Sequence, residues 1–272
     1  MRLCGPFYNT TNTSSSLFGD FLTVIEELII FMNQRVNNFQ QPVGADLPDW
    51  RGANVPDGKN LKGRYCRAER INVERHAAEL YEAYDEATDG RDWTYLPAGP
   101  FETFESWCAY LRNIEKATDP MHYAVIDLAT DQAVGTFALM RIDASNGTIE
   151  MGYVTYSPLM KRTRISTEIT YLVLNYVFEE LGYRRLEWKC DSLNAPSRDA
   201  AIRYGFTLEG VFRQAVVTHG RNRDTAWHSI INSEYIALCN AYEKWLSPSN
   251  FDENGFQQEK LSKFMAEERP EC

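Results

Sequence analysis

Residues 148–191 read TIEMGYVTYSPLMKRTRISTEITYLVLNYVFEELGYRRLEWKCD. The opening of this stretch alternates as a strand does, its middle carries apolar residues at helical spacing, and RRLEWKCD returns to a strand. Gly182 marks the C-terminal end of the helix. Two strands flanking one long helix are expected to be parallel neighbours joined by a crossover, the one place in this chain where a crossover is needed. Between strand and helix, Lys161, Arg162 and Arg164 crowd into four positions of a chain whose net charge is −10. Charge runs usually face water. This one leads straight into a helix at Ile165 to Glu168, where unpaired backbone N–H groups and the positive dipole end already favour an anion. Two unit charges roughly 4 Å apart near a protein surface attract by about 4 kcal/mol before desolvation. More distant negative charge is screened beyond about 8 Å. The spacing therefore predicts a site for a diphosphate on an acidic protein.

Working outward, LKGRYCRAERI reads as a strand, and Asn72 offers an N-cap to a helix over VERHAAELYEAYDEA. PFETFESWCAYLRNIEKA predicts a second helix, with Pro100 near its start and Phe104, Trp107, Cys108 and Leu111 on one face. HYAVIDL, AVGTFALMRI and TIEMGYVTY follow as three strands with the spacing of an antiparallel meander. Beyond the crossover, APSRDAAIRYGF reads as a short helix stopped by Gly205, and TLEGVFRQAVVT and DTAWHSIIN as a hairpin around HGRN.

The ends differ from this middle. Residues 1–38 read as an N-terminal extension, helical or poorly ordered, in which Glu26 and Glu27 interrupt a run too charged for a membrane span or signal core. Residues 39–246 form the expected domain, beginning with a Pro- and Gly-rich arm from Phe39 to Lys59 that wraps its surface. Residues 247–272 read as a loose, charged tail. At 272 residues the chain can bury one large core. Its acidity argues against nucleic acid as a partner and favours a cationic or neutral one. Cys4, Cys66, Cys108, Cys190, Cys239 and Cys272 form no CxxC pair, which points to free thiols in the cytoplasm. His76, His122, His219 and His228 lack metal-ligand spacing, and no nucleophile elbow, P-loop or dinucleotide fingerprint is present.

From about Val43 to Glu234 the sequence resembles the GNAT acetyltransferase superfamily, and in particular its RimJ/RimL-type branch. In that family the loop after the fourth strand follows a Gln/Arg-x-x-Gly-x-Gly/Ala pattern whose amides hold the pyrophosphate of acetyl-CoA. Lys161, Arg164 and Ser166 fall on the marked positions, and the glycines are absent. LGYRRLEWKCDSLNAPSRDAAIRYGFTLEGVFRQ, with Asn194, Ser197, Gly205-Phe206 and Glu209-Gly210 at the family's intervals, carries the resemblance further, and GRNRDTAWHSI matches the closing hairpin. The fold implied is α+β: one domain with a mixed, largely antiparallel sheet of six or seven strands, splayed between strands 4 and 5 and flanked by helices.

The activity implied is transfer of acetyl from acetyl-CoA, without a metal, to a primary amine, with a protein or peptide N-terminus foremost. A polyamine or aminoglycoside-like amine and a non-catalytic acyl-CoA-binding module are the other readings. Neither a membrane nor a nucleic acid enters as partner, and the oligomeric state is not encoded legibly. By position Ser197 serves the leaving thiolate and Glu150 the attacking amine. Tyr156, Lys161, Arg162, Thr163, Arg164, Ile165, Ser166 and Thr167 line the coenzyme, and Asn194 holds its pantetheine arm. Taken alone, Asn194 and Ser197 read as a turn residue and a helix cap, Glu150 as a surface carboxylate, and Glu168 as a response to the helix dipole.

Overall fold

The computed structural model describes residues 35–268, in two compact units divided between Trp50 and Arg51. The predicted extension over residues 1–38 lies largely outside the described residues. In the first unit Val36 and Pro42 form an isolated bridge, and the Asn37 side chain accepts from the backbone of Phe39 and Gln41. The arm read over Phe39 to Lys59 is thus divided between the units. Within the second, its remainder is pinned by Ala53 N–H to Ala144 O and Asn54 N–H to Leu181 O, both 2.8 Å.

The second unit is built on one sheet of eight strands in the order β1-β2-β3-β4-β5-β6-β8-β7. They are β1 (Leu61–Lys62), β2 (Cys66–Arg70), β3 (Met121–Asp127), β4 (Gln132–Asp143), β5 (Thr148–Tyr156), β6 (Arg185–Asp191), β7 (Thr207–Thr218) and β8 (Arg221–Ile231). Every pairing is antiparallel except β5 with β6. Eight strands replace the expected six or seven because LKGRYCRAERI is not one strand. It breaks at Gly63-Arg64-Tyr65, and β1 folds back on β2 with Leu61 opposite Ala68.

Helices cover both faces. They are α1 (Val73–Asp85), α2 (Phe104–Ile114), α3 (Arg164–Asn175), α4 (Ala195–Arg203), α5 (Asn232–Trp245) and α6 (Leu261–Glu268). Strand alternation sorts the core into two layers. Met121, Tyr123 and Val125 of β3 join Ile149 and Met151 of β5 under α3 and α5, whereas Ala124 and Ile126 face α1 and α2 with Leu80, Trp107 and Leu111. Asn72 caps α1 as predicted, its carbonyl accepting from Arg75 N–H. The start of α2 lies later than Pro100 suggested. Thr103 and Ser106 form a reciprocal capping box there, and Phe104 points outward while Trp107, Cys108 and Leu111 are buried.

The C-terminal segment also departs from expectation. Helix α5 follows β8 directly, and the residues after Ser247, read as a loose tail, are ordered to Glu268 with Leu261 and Met265 buried. Three apolar residues, Leu261, Phe264 and Met265, share one face of α6, and Ser262 and Lys263 between them face water.

Candidate active site

Strands β5 and β6 pair over only three rungs, Thr148 with Arg185, Ile149 with Leu186 and Glu150 with Glu187. Beyond the last rung they part, which is the splay expected between the fourth and fifth strands of the sequence reading. Because the two strands are parallel, the loops that follow them lie at the same end of the sheet, on either side of the opening. Open α/β sheets bind ligands at such carboxyl ends.

On the β5 side the loop from Ser157 leads into α3. Thr163 is its N-cap residue but caps nothing with its side chain, since its hydroxyl donates back to Met160 O at 2.7 Å. The first-turn amides of Arg164, Ile165 and Ser166 have no intrahelical acceptor by geometry. Ser166 donates its hydroxyl to Thr163 O at 2.8 Å, and Ile165 is buried. The hydroxyls of Ser157 and Thr167 are buried and unpartnered among the described residues. A helix mouth left without a side-chain cap fits a phosphate-bearing ligand.

The three cations do not ring that mouth as expected. Lys161 is ion-paired with Asp92. The Arg164 guanidinium lies 4.1 Å from the centre of the Tyr65 ring and 5.7 Å from that of Phe251, so it is stacked on the protein. Arg162 is exposed and takes φ +61°. A glycine-bearing loop visits the left-handed region freely, whereas at Arg162 it costs about 1–2 kcal/mol. Tyr156 ends β5 with its hydroxyl buried and, among the described residues, unpartnered, and burial pushes its pKa well up.

On the β6 side, Asn194 accepts from Ser197 N–H at 3.2 Å and so caps α4. Ser197 Oγ accepts from Trp188 Nε1 at 3.0 Å, which leaves its own hydroxyl hydrogen to donate. The Cys190 thiol is raised by burial, with the Ser197 hydroxyl acting in the opposite sense. Tyr204, which immediately precedes Gly205, is buried and raised by that burial.

Glu150 lies on the other face of the sheet from Trp188 and Ser197, at the root of the splay. It is not the surface carboxylate it resembles in isolation, being only 3% exposed. Its Oε2 receives Arg141 at 2.7 Å and Lys189 at 3.0 Å. Arg141 is turned toward it by a bulge in β4 between Met140 and Asp143, at which Arg141 takes φ +49°. Lys189 also binds Glu187 at 2.6 Å and sits 3.7 Å from the centre of the Trp227 ring. Arg185 extends the ladder to Glu187 and Glu209.

The sequence reading therefore gathers its residues into three places: Tyr156 to Thr167 at the mouth of α3, Asn194 and Ser197 in the first turn of α4, and Glu150 across the sheet. It did not find Arg141, Lys189, Asp92 or Trp188. Alternation along β6 does put Arg185, Glu187 and Lys189 on one face, but the partners that Lys189 finds beyond it, Glu150 and Trp227, come from β5 and β8. Glu168 also exceeds its expected role. It is buried and accepts three backbone N–H bonds, from Arg64, Tyr65 and Cys66, each 2.7 Å. Among the described residues no group of three His, Cys, Asp or Glu side chains could hold a metal. No described helix is long and apolar enough to cross a membrane.

Comparison with known proteins agrees with this geometry. Residues 70–207 match the acetyltransferase (GNAT) domain model. A GCN5-related N-acetyltransferase from Brucella melitensis is 44% identical, covering 81% of this chain and all of that one, with a TM-score of 0.79. A probable GNAT-family acetyltransferase from Chromobacterium violaceum is 38% identical over 72% of this chain and 98% of its own, with a TM-score of 0.67. An uncharacterized N-acetyltransferase of Bacillus licheniformis, p20, is 28% identical over 113 residues, and the match spans 42% of this chain and 63% of that protein. With its splayed β5–β6 pair, its domain match and a relative aligned from end to end, the chain belongs to the GNAT acetyltransferase family.

Proposed function

We propose that the protein is an acetyl-CoA-dependent N-acetyltransferase of the RimJ/RimL type whose acceptor is a peptide or protein α-amine. The observation that carries this reading is the parting of β5 from β6 after the Glu150–Glu187 rung, with an uncapped helix mouth beside it. The first-turn amides of α3 would hold the diphosphate. Acetyl-CoA supplies the thioester and the leaving thiolate. In the transfer, the amine nitrogen bonds to the thioester carbonyl carbon and the C–S bond breaks. The proton lost by nitrogen passes toward Glu150 through water, and the sulfur takes the Ser197 hydroxyl proton, which solvent restores.

The setting of Glu150 supports the choice of acceptor. Two cations already balance its charge, so an amine that arrives partly neutral suits it better than one that must first be stripped of a proton. A peptide α-amine, with a pKa near 8, is neutral in roughly a tenth of molecules at pH 7. A lysine amine is neutral in about one of a few thousand. The test is mass spectrometry of a peptide panel, with free and blocked N-termini and with internal lysines, after incubation with acetyl-CoA. Acetylation confined to free N-termini is expected. Acetylation of lysine side chains alone, or of small amines but no peptide, would overturn the acceptor assignment.

A further inference from the structure

The connection between α1 and α2 reaches across the open end of the splay. Its residues 89–97 contain one short turn, Gly90–Trp93, capped by Asp89. Trp93 is the root. Its ring lies edge-on to Tyr84 and Phe101, and a Cβ added at Gly99 would come within 2.3 Å of it. From this root the segment touches three separate parts of the sheet's far end. Asp92 pairs with Lys161 in the loop before α3. Tyr95 donates its hydroxyl to Leu193 O, 3.3 Å away, in the loop between β6 and α4. In and beside the β7–β8 turn, Arg221 donates to Thr94 O at 3.2 Å and His219 Nε2 lies 2.9 Å from Leu96 O.

Lys161 and Leu193 stand on opposite sides of the gap between the diverging strands, so a segment bonded to both spans it. We propose that residues 89–97 are a clasp over the coenzyme site, in which the Asp92 carboxylate and the diphosphate of acetyl-CoA compete for Lys161. This rests on the reading of the α3 mouth as the coenzyme site. Asp92 is the anion that Lys161 holds in the free protein, and the pair is open to solvent, with side chains 34% and 40% exposed. Exposed pairs of this kind hold weakly. A diphosphate that also collects the amides of α3 displaces the carboxylate, and the root at Trp93 keeps the segment in place while its latch is exchanged. Asp92 thereby sets the coenzyme affinity without touching the coenzyme.

A double-mutant cycle read by calorimetry with coenzyme A tests this on the full chain. Asp92→Asn should bind coenzyme A about three- to fivefold more tightly than the wild type, the size expected for loss of one exposed competing pair. Lys161→Met should bind more weakly, and adding Asp92→Asn to it should change nothing further. A gain that survives in the Lys161→Met background is a long-range charge effect, and overturns the clasp. Weaker or unchanged binding by Asp92→Asn overturns it as well, because Asp92 would then support Lys161 or ignore it. The two readings separate cleanly. No heat from the wild type removes the coenzyme site and the clasp together, whereas normal wild-type binding with a failed cycle removes the clasp alone.

Discussion

Burial decides the state of His122 before any partner does. The ring sits under α2, edge-on to Tyr153 at 5.0 Å, and desolvation with the Arg70 charge beside it brings its pKa down to about 4. An unfolded histidine titrates near 6.5. Between those values the unfolded chain binds the proton and the folded one does not, so stability is full above about pH 6.5 and falls as pH drops toward 4. The loss from this residue is about 3 kcal/mol at most. Urea unfolding at pH 7, 5.5 and 4.5 should show a falling midpoint, and His122→Gln should flatten part of the slope. His76 and His228, also lowered by burial, keep the remainder. An unaltered slope in His122→Gln would mean that the ring is protonated in the folded state. At this scale the sequence carries little. Glu150 and Glu168 look alike as letters. Yet one answers to Arg141 and Lys189 from other strands and the other to three amides of a distant turn, and these partners exist only once the sheet is assembled.

Helix α3 and the β1–β2 turn are a single device. The Glu168 carboxylate fills the turn so closely that a Cβ at Gly63 would approach it to 2.5 Å. Three charge-assisted bonds from one turn converge on two oxygens, and an amide in place of the carboxylate turns an N–H group toward donors that need an acceptor. Glu168→Gln is expected to lower stability by about 2–4 kcal/mol. Gly63→Ala should also be destabilising, through direct contact with the carboxylate. Both should appear as shifted denaturant midpoints at unchanged m-value. A wild-type midpoint in Glu168→Gln would show that the turn stands without the helix. The same device explains what could and could not be read among the elements. Asn72, the alternation in β3 to β5 and the crossover are local signals, and they gave α1, the meander and the parallel pair. The break at Gly63 to Tyr65 is fixed by a side chain about a hundred residues away, so LKGRYCRAERI reads as one strand until Glu168 is known to face it.

Across the whole molecule, helices on both faces of the sheet leave its far half to the charged ladder from Arg141 to Glu209, and the C-terminal segment completes the layer that holds α3. Phe251 packs edge-on against Tyr65 and Trp245, Asn250 donates to Trp245 O, and the Arg164 guanidinium lies over both Tyr65 and Phe251. Apolar residues at 261, 264 and 265 were a helical signal, but eight residues ringed by charge are too short to distinguish a docked helix from a solvated tail. Docking on α5 supplies what the local sequence lacks. Two buried side chains, Leu261 and Met265, contribute up to about 1.5–3 kcal/mol each. Deleting residues 248–272 should therefore lower the melting temperature by about 10 °C or more, given some 2–4 °C per kcal/mol in a domain of this size. Leu261→Ala, which leaves the chain intact, should cost about 2–5 kcal/mol. The deletion also strips Phe251 from beneath Arg164, so that guanidinium is freed beside the α3 mouth and coenzyme A affinity should change with it, whereas Leu261→Ala should change stability alone. Equal coenzyme affinity in the deleted and intact proteins would show that the stacked Arg164 takes no part in shaping the site.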